Sequence, residues 1–512
     1  MFNPEPDSPE PSSQTPRPDA AAGLASPQIA PPPQAAWIGP TGLGPPPLDL
    51  LTPPCTDLGN AQRLVALHGP DIRYCHARRT WFVWDGTRWQ ADSRRQIEAK
   101  AANTIRRFRA RAEGLAESPA RTALLRWANA SEASSSLGAM VHLAGAIAPI
   151  PVAPEEFDTH PYLLNFQNGT IDLQTGQLLP HTRSHLLTRR IPERYRPSAP
   201  CPQFLCFLHQ TMAGFGEPTP DAAAAAARMV EWLQIAFGYS LTGMTSEKCI
   251  FVLHGERDTG KSTLLTLWTD ILTTDYSTTI NVKSLMKHNS GSNAARDDIA
   301  DLEGTRFAMT SETDADDAFS ASDIKRLTKG MGVIKTDRKG RSNIQFLETH
   351  KLWIDANHRP NVDSDDEAIW IRFRPIPFRH TVPPHLKDFD LPRKLRLEAE
   401  GILAWAVAGA AKWCDQHLPA APEIEEAKAE WRATTDHVGM FLAERCTLGK
   451  EQRASNAHFQ QLFYEWLDQN HPGVSVTTAQ LGRRLAREGF EPTTVRTGEK
   501  VLHGWRGFSV DE

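Results

Sequence analysis

Gly255–Glu256–Arg257–Asp258–Thr259–Gly260–Lys261–Ser262 has the spacing G-x-x-x-x-G-K-[ST], a spacing that holds a chain of phosphates. The glycines let the backbone turn tightly, so that its N–H groups converge on an anion. Lys261 is placed to reach the β- and γ-phosphates, and the Ser262 hydroxyl to ligate Mg²⁺. Such a loop needs a strand before it and a helix after it. Cys249–Leu253 is an apolar run of strand length, and Thr263–Trp268 opens a helical pattern whose positive end faces the same anion. Gly255 through Thr263 is therefore the expected nucleotide-binding segment.

Three downstream features extend the chemistry. Thr305–Thr310 reads as an apolar strand that runs out into Ser311–Glu312. At the end of a strand beside the loop, Glu312 is expected to hold Mg²⁺ through water and to polarise the attacking water, with Asp314 as the backup. A plain strand-end acid is the alternative. Lys351–Ala356 is a second strand, and it delivers Asn357, whose amide both donates and accepts. That side chain suits a sensor of the γ-phosphate, although Asn at a strand end is also an ordinary turn former. Glu367–Phe378 carries Arg372 and Arg374 in an apolar setting. An arginine there is suited to stabilise charge at a neighbour's γ-phosphate, Arg372 first and Arg374 second, or to make a structural ion pair. Between these features lies a basic stretch with Lys335, Arg338, Lys339 and Arg341. Lys339–Gly340 reads as a hairpin tip, and a cationic tip grips a phosphate backbone.

The elements that must position these groups follow from composition and punctuation. A chain of 512 residues, 40% of them hydrophobic, is long enough for several cores. Net charge of −5 does not advertise a nucleic-acid protein, though it averages over local patches. Seven scattered cysteines suggest reduced thiols in the cytosol. Cys201, Cys206 and His209 fit no zinc spacing and are expected to be buried helix residues. The start of the chain lacks a secretory pattern, and no run is long and apolar enough to span a membrane, so a cytoplasmic protein is expected. Residues 1–55, rich in Pro and Ala, read as a disordered tail. A first α+β region covers 56–195, with a hairpin around Asp85–Gly86 and then a helix rich in arginine, either a nucleic-acid contact or a solvated face. A helical lead-in spans 196–245, where Thr219 caps a helix that Gly238 is expected to stop. Strands and helices alternate over 246–420, as in a parallel α/β core. Residues 425–512 read as short helices followed by a small β ending.

In this order the elements resemble the helicase part of the phage/plasmid primase-helicase family, within superfamily three of the AAA+ class. The resemblance rests on Gly255–Ser262, Asp301–Arg306 leading to Ser311–Glu312, Ile324–Thr328, Ala356–Pro360 and Asp366–Trp370. Leu58–Arg63, the tryptophan hairpin, Asn168–Leu173 and Gly238–Gly243 extend it upstream. It implies a P-loop AAA+ core with a parallel sheet, between an α+β domain and a winged-helix domain. It implies ATP and Mg²⁺ at Lys261 and Ser262, Glu312 as the acid, Asn357 as sensor and Arg372 as a finger acting across a subunit boundary. It further implies a homo-hexameric ring moving on single- and double-stranded DNA, with a separate primase or replication factor as a further partner. In the final region Thr478–Arg487 resembles a recognition helix, whose Arg483, Arg484 and Arg487 are spaced to meet phosphates, with Lys500 and Arg506 near the wing. The sequence departs from the family at Arg257 and Thr259, where Gly and Asn are usual, at Ile371, which replaces one of two arginines, and at Met331. With about 55 residues before the first ordered region and no acidic cluster among them, primer synthesis is not expected. An ATP-switched replication initiator is the alternative reading. A metabolite phosphotransferase would need neither the basic hairpin nor the last domain.

Overall fold

The computed structural model describes residues 49–286, 297–310, 318–338, 341–357, 359–360, 362, 366–471, 474, 476–497 and 500–511. The first unit opens with α1 (Asp57–His68), started by Thr56, whose side chain accepts the Gly59 N–H. An antiparallel sheet follows, made of β1 (Ile72–Cys75), β2 (Thr80–Trp84) and β3 (Trp89–Ala91). The expected hairpin is present: Trp84 pairs with Trp89, Gly86 takes φ +101°, and Asp85 Oδ1 accepts the N–H groups of Thr87 (2.7 Å) and Arg88 (2.9 Å). Helices α2 (Gln96–Glu113), α3 (Pro119–Ser131) and α4 (Ser134–Ala144) come next. Leu64, Ile72, Val83, Ile105 and Met140 join α1, α2 and α4 to the sheet in one core. A second small antiparallel sheet holds β4 (Leu163–Phe166), β5 (Gly169–Asp172) and β6 (Gln177–Leu179).

Helices α5 (Pro202–Ala213) and α6 (Pro220–Leu241) lead into the centre of the molecule. Thr219 caps α6 as its position suggests, accepting the Ala222 N–H at 3.3 Å. Gly238 does not stop the helix, which continues to Leu241. Its missing side chain serves a close crossing instead: a Cβ there would lie 2.1 Å from the Ala410 nitrogen. Cys201 is buried just before α5, but Cys206 and His209 are exposed on it, against expectation. Their side of the helix faces away from the aromatic core that takes Phe204, Phe207 and Leu208.

The central unit runs β7 (Ile250–His254), α7 (Lys261–Tyr276), β8 (Ser277–Thr279), α8 (Asp297–Ala300), β9 (Phe307–Thr310), α9 (Ala321–Leu327), β10 (Val333–Arg338), β11 (Arg341–Leu347), β12 (Lys351–Ala356), α10 (Glu367–Trp370), β13 (Phe373–Pro377), α11 (Leu391–Leu397), α12 (Ala399–Gln416) and α13 (Pro422–Thr435). Five parallel strands lie in the order β13-β7-β12-β9-β8. Strands of such a sheet are apolar throughout because both faces are covered. Phe251, Trp353 and Phe307 pack into one core and Val252, Ile354 and Ala308 into the other. On the first face Phe237 of α6 stacks on both Trp268 and Trp353, with ring centroids 4.4 Å apart in each case. β10 and β11 stand apart as an antiparallel pair, anchored by buried Ile334 and Phe346.

The last unit contains α14 (His437–Arg445), β14 (Cys446–Ser455), α15 (Asn456–Asn470), α16 (Thr478–Arg487), β15 (Glu491–Thr497) and β16 (Lys500–Val510). Its antiparallel sheet has the order β14-β16-β15, and its own core includes Val438, Phe441, Phe463, Leu481, Leu485 and Phe508. α13 belongs to the centre instead, because Trp431 is fully buried with its ring 5.6 Å from Phe373. The last unit therefore begins near Asp436, about one helix later than the sequence suggested. Among the described residues no helix is long and apolar enough to cross a membrane.

Candidate nucleotide site and nucleic-acid surfaces

β7 delivers the loop to the C-terminal edge of the parallel sheet, and α7 carries it away. Two glycines are required there by space as well as by conformation. Gly255 takes φ +155°, and a Cβ on it would meet the Phe378 carbonyl oxygen at 2.0 Å. Gly260 takes φ +94°, and its Cβ would lie 2.9 Å from Thr211 Cγ2. Asp258, at φ +60°, is tied on both sides: its carbonyl accepts the Val382 N–H at 2.9 Å and its carboxylate binds Lys387 at 2.7 Å. Lys261 is only 3% exposed. Its Nζ donates to the carbonyls of Gly255 (2.9 Å) and Glu256 (2.7 Å) and to Thr259 Oγ1 (3.3 Å). Burial pulls the Lys261 ammonium below its usual pKa, while Asp355 and Asp258 pull it back up. Thr259, a departure from the family pattern, is itself buried and closes the loop by donating to the Glu256 carbonyl at 3.0 Å.

The acid nearest this loop is Asp355. Ser262 Oγ donates to its Oδ2, and its Oδ1 lies 3.9 Å from Lys261 Nζ. The strand order explains this. β12, not β9, lies directly beside β7, with Asp355 opposite Leu253, so Asp355 shares the face that α7 covers. The sequence reading placed Glu312 at the end of a strand beside the loop, but β9 is one strand further out. Glu312 and Asp314 themselves lie outside the described residues. Asp355 was passed over in favour of Asn357, although an acid inside Leu352–Trp353–Ile354–Asp355–Ala356 was a visible signal, since a carboxylate is rarely buried without a purpose. Asp355 is 5% exposed, and its Oδ1 has no hydrogen-bond partner among the described residues. A hydroxyl and a carboxylate with an unused oxygen are hard donors that suit Mg²⁺. Asn357 follows β12 at the loop edge of the sheet and is exposed there. Nearby His254, buried at the end of β7, is pushed down to about 3 by burial and by Arg359, Arg379 and Lys261, so it adds no charge to the site at neutral pH.

Arg372 lies at the opposite edge. It precedes β13, whose Phe373 pairs with Ile250 at the start of β7. A strand rise of about 3.3 Å per residue puts it roughly 16 Å from the loop of its own chain. Its guanidinium donates to the Ala368 carbonyl (2.5 Å) and to Thr328 Oγ1 (3.2 Å). Arg374, inside β13, donates to the carbonyls of Ile371 (2.6 Å) and Phe373 (3.1 Å). No carboxylate ion pair is formed by either arginine among the described residues.

The basic hairpin is present, with Arg338 opposite Arg341 and Lys335 exposed. Lys339, its expected tip, lies outside the described residues. The base is clamped from inside: the Glu348 carboxylate accepts the Gly330 N–H at 2.9 Å, and Thr245 Oγ1 accepts the Met331 N–H at 2.6 Å. Burial lifts the Glu348 carboxyl to about 7 against the pull of backbone donors at Gly330, Gly332 and Lys329. The three arginines of α16 differ among themselves. Arg484 is held by Asp436, with Nε at 3.0 Å and Nη2 at 2.5 Å, and also pairs with Glu488. Arg487 reaches Glu367 of the central unit at 3.4 Å. Arg483 alone of the three is exposed without a described ion pair. Equal helical spacing therefore does not give equal access, because Arg484 faces α14. Arg506 donates to the Lys450 carbonyl at 2.9 Å, and the Lys500 side chain is beyond the described residues.

Comparison with known proteins adds names to this geometry. Residues 61–213 match the "D5 N terminal like" family model, and residues 253–372 match a family of unknown function (DUF5906). "Putative helicase 022R" of Frog virus 3 (isolate Goorha) is 24% identical over 293 residues, 53% of this chain and 29% of that protein. "Putative helicase L207/L206" of Acanthamoeba polyphaga mimivirus is 25% identical over 253 residues, 49% of this chain and 25% of the relative. The chain thus spans less than a third of the length of either viral protein. Among solved structures, the apo C-terminal region of NrS-1 aligns with a TM-score of 0.44 at 14% identity, over 88% of this chain and 99% of that one. The first unit matches the D5 model and about half of the chain aligns with viral proteins named as helicases, and these likenesses support a phage-type primase-helicase family.

Proposed function

We propose that this chain is an ATP-driven DNA helicase of a phage, plasmid or integrated element. The observation that carries the reading is the convergence of Lys261, Ser262 and Asp355 at the loop edge of a parallel sheet, beside the exposed Asn357. The loop N–H groups and the positive end of α7 bind the phosphates. Lys261 leaves its own loop carbonyls to meet the β- and γ-phosphates, and Ser262 turns its hydroxyl to the metal. Ser262 would hold Mg²⁺, whose charge would offset that of the phosphates. Glu312 would hold that ion through water and draw the proton of the attacking water, and Asn357 would read the γ-phosphate. Arg372, too far from its own loop, serves the loop of a neighbouring copy, which makes the active form a ring, read as a homo-hexamer by family likeness. On this reading the central unit is an AAA+ core and the last unit a winged helix. The hairpin cations Lys335, Arg338, Lys339 and Arg341, with Arg483, contact the DNA backbone. No primer synthesis is assigned to these residues.

The test is strand displacement from a forked DNA duplex with ATP, comparing the wild-type chain with Arg338→Ala/Lys339→Ala. Displacement that falls sharply in the double variant, with ATP affinity unchanged, supports a motor that pulls on DNA. Specific duplex binding with no displacement by the wild-type chain would move the protein to an ATP-switched initiator.

A further inference from the structure

The arginine-rich helix α2 of the first unit has no part in the function proposed above. Its cations divide by their resting partners. Arg95 pairs with Glu98 at 2.7 Å, and Arg109 with Glu132, just past α3, at 2.8 Å. Lys100, Arg107 and Arg111 meet no carboxylate among the described residues, and both of these arginines are exposed. At 3.6 residues per turn the three project within about 40° of one another, along about 16 Å of helix. The stripe lies on the flank beside the end of α1: burial, with the charges of Lys100 and Arg107, pushes His68 there down to about 4. Asp71, which also faces His68, is already paired with Arg183 at 2.7 Å. The acids of α2 are Glu98 and Glu113, and neither stands three or four residues from a member of the stripe, the spacing at which helical ion pairs form. Arg107 and Arg111 stand four apart, where like charges weaken a helix. A cation in the last turn suits the helix dipole, which accounts for Arg111 but not for Lys100 in the second turn. The buried face of Ile97, Ile105 and Phe108 carries the helix against this repulsion. Phe108 is the one aromatic residue of α2 and is fully buried, so the stripe offers no ring on which an unpaired base could stack. The polyanion it fits is a regular phosphate backbone.

We propose that Lys100, Arg107 and Arg111 of α2 form a sequence-independent contact with the phosphate backbone of duplex DNA, separate from the basic hairpin and from α16. The choice of DNA as the polyanion rests on the reading of the chain as a DNA motor. The stripe itself is independent of the nucleotide loop.

The test is fluorescence anisotropy of the full chain with labelled DNA duplexes of unrelated sequence, without nucleotide, over a series of salt concentrations. Lys100→Ala/Arg107→Ala/Arg111→Ala should lower the slope of log affinity against log salt by about 3, one for each lost contact, and equally on each duplex. Lys100→Arg/Arg107→Lys/Arg111→Lys keeps the charges and should keep the wild-type slope. Should the triple alanine variant melt early, Arg107→Ala decides: a fall of about 1 supports the contact, and an unchanged slope overturns it. A wild-type slope in the folded triple variant overturns the proposal. So does a fall that the charge-keeping variant shares, which would mark a structural role. Vesicles of phosphatidylserine and phosphatidylcholine are the second probe. Binding to them that needs the stripe, with duplex binding unchanged, would make α2 a membrane contact instead. ATP hydrolysis that ignores DNA would fail differently, by removing the motor while leaving a stripe-dependent duplex contact in place.

Discussion

Positive charge is used in opposite ways at the loop edge of the sheet and on α16. At the loop, Lys261 is buried among carbonyls of its own turn and beside Asp355, an arrangement that a phosphate chain can replace bond for bond. On α16, Arg484 is fixed by Asp436 and Glu488 within its own unit, and Arg487 reaches Glu367 of the central unit, so both arginines are engaged before any ligand arrives. The first set is poised for exchange and the second is spent on architecture. A basic residue is therefore informative about ligands only once its resting partner is known. Arg372 sits between the two cases: it is engaged, but by a carbonyl and a hydroxyl rather than by a carboxylate.

The largest effect that would sharpen this contrast is expected at Arg372. If it acts on a neighbour's nucleotide, Arg372→Ala should lower kcat for ATP hydrolysis by about 10³-fold or more, as for other arginine fingers. ADP affinity should stay near wild type. Mixing Arg372→Ala with inactive Lys261→Ala chains should restore activity, because some interfaces then pair an intact loop with an intact arginine. Absence of restoration in mixed assemblies would place Arg372 in a structural role.

A smaller effect belongs to Arg484. Its removal leaves the Asp436 carboxylate half-buried without its main partner, and such a loss costs roughly 1–3 kcal/mol. Thermal denaturation should show the last unit melting earlier in Arg484→Ala, with much the same shift in Asp436→Asn and little more in the double variant. Burial pushes the Asp436 carboxyl up, but hydrogen bonds from Arg484 and Gly439 more than reverse this and hold it below its ordinary value. The stability it supplies is thus present above the unfolded carboxylate pKa of about 4 and lost as pH falls through the lower folded value. The gap between wild type and Arg484→Ala should close in acid. Equal melting of the two proteins at neutral pH would break the claim that this arginine is structural.

The smallest effect is expected at Arg483. Losing one phosphate contact should weaken DNA binding a few-fold and lower the salt slope by about 1, with no change in melting. If Arg484→Ala instead changed the slope while Arg483→Ala did not, the contrast between exposed and committed arginines would be reversed.

These contrasts mark what the sequence makes legible. The loop is read easily because its chemistry is local: Gly255, Gly260, Lys261 and Ser262 sit within eight residues and act together. The hairpin at Asp85–Gly86 and the pairing of β10 with β11 are local in the same sense. Asp355 escapes because its importance depends on β12 lying between β7 and β9, and strand order is a long-range property that spacing does not encode. Gly238 misleads for a related reason. A glycine near a helix end resembles a stop signal, and only the α12 backbone beside it reveals a crossing point. Arg484 has the right period for a surface stripe, but its partner Asp436 is 48 residues away in sequence. The family models match residues 61–213 and 253–372, while the acid beside the loop emerges from the packing of strands.

The central claim is a motor driven by ATP at Lys261 and governed by DNA. The most direct measurement is the steady-state rate of ATP hydrolysis with and without single-stranded DNA, for the wild type beside Lys261→Ala. The account predicts hydrolysis that DNA raises strongly and that falls by about 10²-fold or more in the variant, which lacks a charge that stabilises the transferred phosphoryl group. DNA-stimulated hydrolysis that survives in Lys261→Ala would contradict it.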